Sequence, residues 1–150
     1  MNHPPTNSNE IMTTAAMPIR VRYPEVDRMG AVHHSRYAVY FEMGRTELLR
    51  QNGYTYRDLE DAGVLIVVAR LECRFKAAAR YDDELVLTTT LTKADHVRLE
   101  HSYTLTRPAD NRLIAEAATT LVCVDRDGKL QGLPDMLKSL SGTNGGNTPS

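Results

Sequence analysis

The residues best suited to chemistry crowd into one stretch, Arg22 to Arg50, which reads RYPEVDRMGAVHHSRYAVYFEMGRTELLR. Asp27 lies there in a turn-rich segment, seven residues before His34, where a helical pattern begins. A carboxylate so placed can attack a carbonyl carbon, or take a proton from a water that does so. The free N–H groups of a helix start can donate to the carbonyl oxygen as it becomes negative, and the helix dipole acts in the same sense. Asp27 could instead be an ordinary loop aspartate that makes turn or capping bonds. The pair His33-His34 invites a metal, but adjacent histidines point in different directions and no Cys or carboxylate sits at ligand spacing, so no metal site is expected. Glu42 and Glu47 each have an arginine three residues on, Arg45 and Arg50, and read as helix-surface pairs. His101 shares a strand face with Leu99 and Tyr103 and reads as a core or interface histidine.

The elements that must position these groups follow from periodicity. Pro18 to Tyr23 alternates Ile19, Val21 and Tyr23 against Arg20 and Arg22, a short half-buried strand. Pro24 to His33 reads as a loop in which Gly30 supplies a positive-φ turn. From Ser35 to Asn52, Tyr37, Tyr40, Phe41, Gly44 and Leu48 fall on one helical stripe. Gly44 costs propensity there, and a close approach to a sheet would explain it. Thr55 caps a second short helix through Ala62, with Gly53 and Gly63 as terminators. Strands are expected at Val64 to Lys76, Glu84 to Thr92, Val97 to Arg107 and Leu113 to Val124, the last apolar on both faces as a central strand would be. A short helix is expected at Pro134 to Leu140. The order, one strand, a long helix, then four long antiparallel strands, predicts an α+β fold with the helix against a curved sheet of about five strands.

Two further pieces join the Asp27 stretch, Ala79-Arg80-Tyr81-Asp82-Asp83-Glu84-Leu85 and Val122-Cys123-Val124-Asp125. With Tyr23, Asp27, Gly30, Val32, His34, Tyr37, Phe41, Glu42, Arg45, Glu47, Leu48 and Leu49, they make the chain resemble the hydroxybenzoyl-CoA thioesterase family of hotdog proteins. Within it they resemble the branch that includes the Tol–Pal-associated bacterial acyl-CoA thioesterases. The likeness runs from about Ile19 to Pro134. It implies a hotdog fold and hydrolysis of an acyl-CoA or acyl-carrier-protein thioester, with no cofactor and a homodimer or homotetramer whose site lies between subunits. Carried over residue by residue, Asp27 is the nucleophile or general base, and the backbone N–H at His34 polarises the carbonyl. Gly30 and Val32 shape the loop, and Tyr37 could line an acyl or aryl pocket. Arg70, Arg74, Lys76 and Arg80 share parity along one strand. They form either a solvated face or a surface for the phosphates of coenzyme A, with Arg74 and Lys76 as the contacts. The alternative function is a hotdog protein that binds acyl groups without hydrolysing them. A dehydratase would need a catalytic His on a signature that is absent here, and a pure interaction domain would need no Asp27.

Composition narrows the field. A net charge of -1 lacks the basic surplus of a nucleic-acid binder. No apolar run approaches the roughly 18–20 residues that span a bilayer, and the Asn-, Pro- and Thr-rich start is no secretory leader. Cys73 and Cys123 are too few and too far apart for a disulfide framework, which points to reduced thiols in the cytoplasm. One domain is expected over residues 17–140, between disordered tails at 1–16 and 141–150.

Overall fold

The computed structural model describes residues 11–134. The expected terminal helix, from residue 135 on, and the tail at 141–150 lie outside the described residues. Five strands, β1 (Thr14–Arg20), β2 (Leu65–Phe75), β3 (Glu84–Ala94), β4 (Arg98–Arg107) and β5 (Arg112–Val124), form one antiparallel sheet in the order β1-β3-β4-β5-β2. The long helix α1 (His34–Gln51) and the short helix α2 (Tyr56–Asp61) come between β1 and β2. This is the expected α+β arrangement. Among the described residues, no helix is long and apolar enough to cross a membrane.

β1 differs from the sequence reading at both ends. It begins at Thr14 and pairs from Thr14↔Thr90 to Arg20↔Glu84, so part of the expected N-terminal tail is sheet. Pro18 sits in mid-ladder, which an edge strand tolerates where the proline nitrogen faces its open side. At the other end the chain leaves the sheet after Arg20. Val21 is buried, but Tyr23 enters a 3-10 turn (Tyr23–Glu25) and is 75% exposed against Tyr81.

The helix stripe is as expected: Tyr37, Tyr40, Phe41, Gly44 and Leu48 are all buried. Gly44 lies where α1 presses on β3. A methyl group there would overlap Thr89 Oγ1 and come within 2.6 Å of Leu87 Cδ2. Phe41 meets Tyr103 of β4 at 4.7 Å between ring centres. On β4, Leu99, His101, Tyr103 and Leu105 face inward, as their alternation predicts. β5 lies between β4 and β2, as a central strand, with its inward face buried and Glu116 and Ala118 exposed on the other. Thr55 caps α2 and Gly53 and Gly63 take positive φ. Register shifts at Val68/Arg70, Leu91/Lys93 and Leu105/Thr106 mark bulges, which bend a sheet around what it covers.

His101 is buried between Leu91 and Thr119 of the neighbouring strands, stacked beside Tyr103, and its Nδ1 has no partner among the described residues. Burial first, and then the charge of Arg45, push its imidazole down to about 4 from an ordinary 6.5. It is neutral in the fold, so between those values the unfolded chain binds the extra proton and stability falls as pH drops. The full effect is about 3 kcal/mol. Thermal melting of wild type and His101→Gln from pH 7 to 4 should show a shallower acid decline in the variant. Parallel declines would clear His101 of this role.

Candidate active site

The loop between β1 and α1 is tied down at every few residues. Where it leaves the sheet, Val21 N–H donates to Asp83 O at 2.9 Å and Asp82 N–H returns to Val21 O at 3.0 Å. The next anchor is a buried carboxylate, Glu25, only 5% exposed. It accepts from Arg22 N–H at 2.8 Å, from the Arg22 guanidinium at 3.1 and 3.2 Å, and from the Tyr40 hydroxyl of α1 at 2.9 Å. Burial pushes this carboxyl up, but the Arg22 amide, the Tyr40 hydroxyl and the Arg22 guanidinium outweigh it and hold the group below its ordinary value. The Tyr40 hydroxyl is correspondingly pushed up, by burial first and then by Glu25.

Beyond Glu25 the chain makes a tight turn on itself. Asp27 N–H donates to Ala31 O at 2.8 Å, Gly30 N–H to Asp27 O at 2.9 Å, and Val26 bridges Val32. Asp27 Oδ1 accepts from the amides of Met29 at 2.8 Å and Ala31 at 3.2 Å. The turn bonds of an ordinary loop aspartate are therefore present, but they use one oxygen. Oδ2 has no partner among the described residues, and the side chain is exposed. Gly30 takes φ +83°, as expected, and its Cα faces the Arg80 guanidinium, which donates to Met29 O at 3.1 Å. Val32 is buried, and its N–H donates to Ala79 O.

The helix start comes next. His33 is the N-cap: its Nδ1 accepts from Ser35 N–H at 3.2 Å, its carbonyl accepts from Arg36 N–H, and its own N–H donates to Glu25 O at 2.9 Å. His34 opens α1, one residue earlier than expected, and its N–H is without a partner among the described residues. The two imidazoles lie 4.2 Å apart, and among the described residues no group of three metal-ligating side chains exists. An unpaired carboxylate oxygen and a free first-turn N–H thus stand on one loop-to-helix joint. That pairing can handle a carbonyl group that gains negative charge.

Asp27 and Gly30 share one hydrogen-bonded turn, Val32 follows on its returning arm, and His34 opens the helix two residues later. Tyr37 is buried beneath them, edge-on to Tyr40 and Phe75 at 5.9 and 5.1 Å. Arg74 and Lys76 are elsewhere. Arg74 stands with Glu72, Ser102, Thr104 and Glu116 on the sheet face that α1 does not cover, and Lys76 lies 3.8 Å from Glu116. The expected basic face breaks up because Glu72 lies within it, 3.0 Å from Arg70, and because Arg80 leaves the strand to brace the Asp27 loop. Glu47 pairs with Arg50 at 2.7 Å as the spacing predicts. Arg45 does not bridge Glu42; both line a hollow of about 280 Å³ with Tyr56, between α1, α2 and β2. Sequence reasoning missed Glu25. Its partner Tyr40 is 15 residues on, and no local pattern signals that pairing.

Residues 21–140 match the family model described as the thioesterase-like superfamily. The chain is 34% identical over 109 residues to a protein named putative acyl-CoA thioesterase YneP of Bacillus subtilis, covering 73% of this chain and 78% of that one. It is 34% identical over 108 residues to a protein named acyl-CoA thioester hydrolase YbgC of Escherichia coli, covering 72% and 80%. Among solved structures, a DHNA-CoA thioesterase from Staphylococcus aureus superposes with a TM-score of 0.82 at 26% identity, over 88% of this chain and 91% of that one.

The Gly30 backbone conformation is one that L side chains adopt only with strain, and an added Cβ would sit 3.4 Å from the Arg80 guanidinium. Gly30→Ala should therefore cost about 1–2 kcal/mol in chemical denaturation, set by the left-handed backbone. An unchanged midpoint would mean that the loop has another conformation open to it.

Proposed function

The chain belongs to the thioesterase-like superfamily and is a thioester hydrolase, and from that premise we propose that it hydrolyses acyl- or aryl-CoA, with Asp27 as the reacting carboxylate. The observation that carries this reading is the split duty of Asp27. Oδ1 is locked by two loop amides, and Oδ2 is left free on the loop that leads into α1, whose first N–H, that of His34, is without a partner among the described residues. In the general-base form, Oδ2 takes a proton from water as the water oxygen attacks the thioester carbon. In the nucleophilic form, Oδ2 attacks that carbon itself and water cleaves the resulting anhydride. In both, the carbonyl oxygen becomes negative and accepts from the His34 N–H, and collapse expels the coenzyme A thiolate, which takes up a proton. This leaves the free acid directly in the first form and the Asp27 anhydride, which water then opens to the free acid, in the second. No cofactor enters either route. A carrier-protein thioester presents the same reacting group and is a second substrate form.

The functional unit in this reading is a homodimer, alone or paired into a tetramer. Asp27, His33 and His34 are all exposed in the single chain, so nothing yet shields the reaction from water. On the same molecule, the edge strand β2 exposes Val68, Leu71 and Phe75 on the face toward α1, whose Val39 and Met43 are also exposed. A second copy seated there covers apolar surface and an open sheet edge at once. Cys73 and Cys123 are free thiols, which suits the reducing cytoplasm.

Thiol release should be followed on short, medium, long and aromatic acyl-CoAs, with a substrate-free blank for the two cysteines. Wild type should turn over, and Asp27→Asn should lose a factor of about 100 or more in kcat. Turnover that survives the substitution would remove Asp27 from the centre, and tight binding without turnover would favour the acyl-binding alternative. Val68→Glu should yield a monomer by light scattering with turnover lost although Asp27 is intact. An active monomer would sink the two-subunit site.

A further inference from the structure

We propose that Glu25 is a positioning residue for hydrolysis, and that its buried contact with Tyr40 fixes the distance between the Asp27 loop and the start of α1. The proposal rests on the reading of Asp27 given above.

The loop's internal shape does not need Glu25. Its turn is closed by the Asp27–Ala31 and Gly30–Asp27 bonds and the Val26–Val32 bridge, and Asp27 Oδ1 is held by Met29 and Ala31. What that turn lacks is a reference to the helix. Glu25 supplies it twice, two residues from Asp27. Its carbonyl receives the N–H of His33, the cap of α1, at 2.9 Å. Its carboxylate receives the Tyr40 hydroxyl from the second turn of the same helix at 2.9 Å. Tyr40 is itself 1% exposed and edge-on to Tyr37, so the hydroxyl that anchors Glu25 is rigid. Another side-chain link between this segment and α1 runs from the Arg36 guanidinium to Pro24 O at 3.3 Å, on the surface.

A buried carboxylate is a costly way to secure a surface loop unless every lone pair is used. Here four donors converge on it. The result is a joint that cannot slide without stranding a charge. Cutting the Tyr40 bond leaves the loop folded but lets Asp27 drift relative to the His34 N–H, and a displacement on the order of 1 Å at a reacting group costs about 100-fold in rate.

The test is a cycle of Tyr40→Phe and Asp27→Asn, read by acyl-CoA turnover, with melting temperature alongside. Tyr40→Phe should lower kcat about 10- to 100-fold while KM moves less than about threefold. In the Asp27→Asn background the same change should be nearly silent, because a residue acting through Asp27 has nothing left to position. Glu25→Gln, which keeps an acceptor for Tyr40, should retain more turnover than Glu25→Ala. The proposal is overturned if Tyr40→Phe leaves kcat near wild type, or lowers the residual Asp27→Asn turnover by the same factor. If Asp27→Asn keeps full turnover, the Asp27 reading falls and this one falls with it.

Discussion

The close approach of α1 to the sheet at Gly44 is the constraint on which the rest depends. A glycine in the interior of a helix gives up about 1 kcal/mol relative to alanine. Here it lets the helix settle onto Leu87 and Thr89, with Phe41 reaching Tyr103 on the next strand. That contact sets how deep the helix lies, and a rigid helix carries the setting to its first turn. The position of the His34 N–H in the molecule is thus decided ten residues away, by the absence of a methyl group. The five buried residues of the stripe hold the same alignment along the helix, each fully buried large side chain adding roughly 1.5–3 kcal/mol.

Against this fixed element the Asp27 loop must be placed, and the chain does so by polar contacts where the core has run out. The loop is too short and too exposed to bury much apolar surface beyond Val26 and Val32. It relies instead on saturated hydrogen bonding: main-chain bonds close the turn, Arg80 braces it from outside, and Glu25 binds it to the helix. Polar contacts are directional in a way that apolar burial is not. A carboxylate proposed to meet a carbonyl within a few tenths of an ångström is better held by them.

Much of this was legible in the sequence, and for identifiable reasons. The helix stripe and the alternation in β4 are period signals that depend only on which side of an element meets the core. The loop at Asp27 and the helix start at His34 were legible because turn residues give way there to the helical period. The start of β1 was misjudged because Thr14 to Met17 carry little apolar alternation, and their strand is set by pairing with β3, which only the fold reveals. Arg74 and Lys76 looked like an anion surface because parity was counted without the intervening Glu72 or Glu116 on the neighbouring strand, whose register only the fold reveals. Glu25 was invisible for a related reason. A buried carboxylate is defined by its partners, and Tyr40 comes to it through the packing of the helix.

In the proposed reading, one chain holds an incomplete site. Strain, caps and buried charge have been spent on fixing two groups, the Asp27 oxygen and the His34 N–H, yet both face solvent. In water a free N–H contributes little to an oxyanion, because the surrounding dipoles already solvate it; its advantage appears only when water is excluded. In the proposed reading such a joint gains catalytic value only under a cover, and the described residues of the single chain leave it open. The uncovered apolar residues of β2 and α1 lie along the same helix that carries His34. In the proposed dimer a second copy seated on them would shelter that helix, so that association and catalysis would draw on one surface.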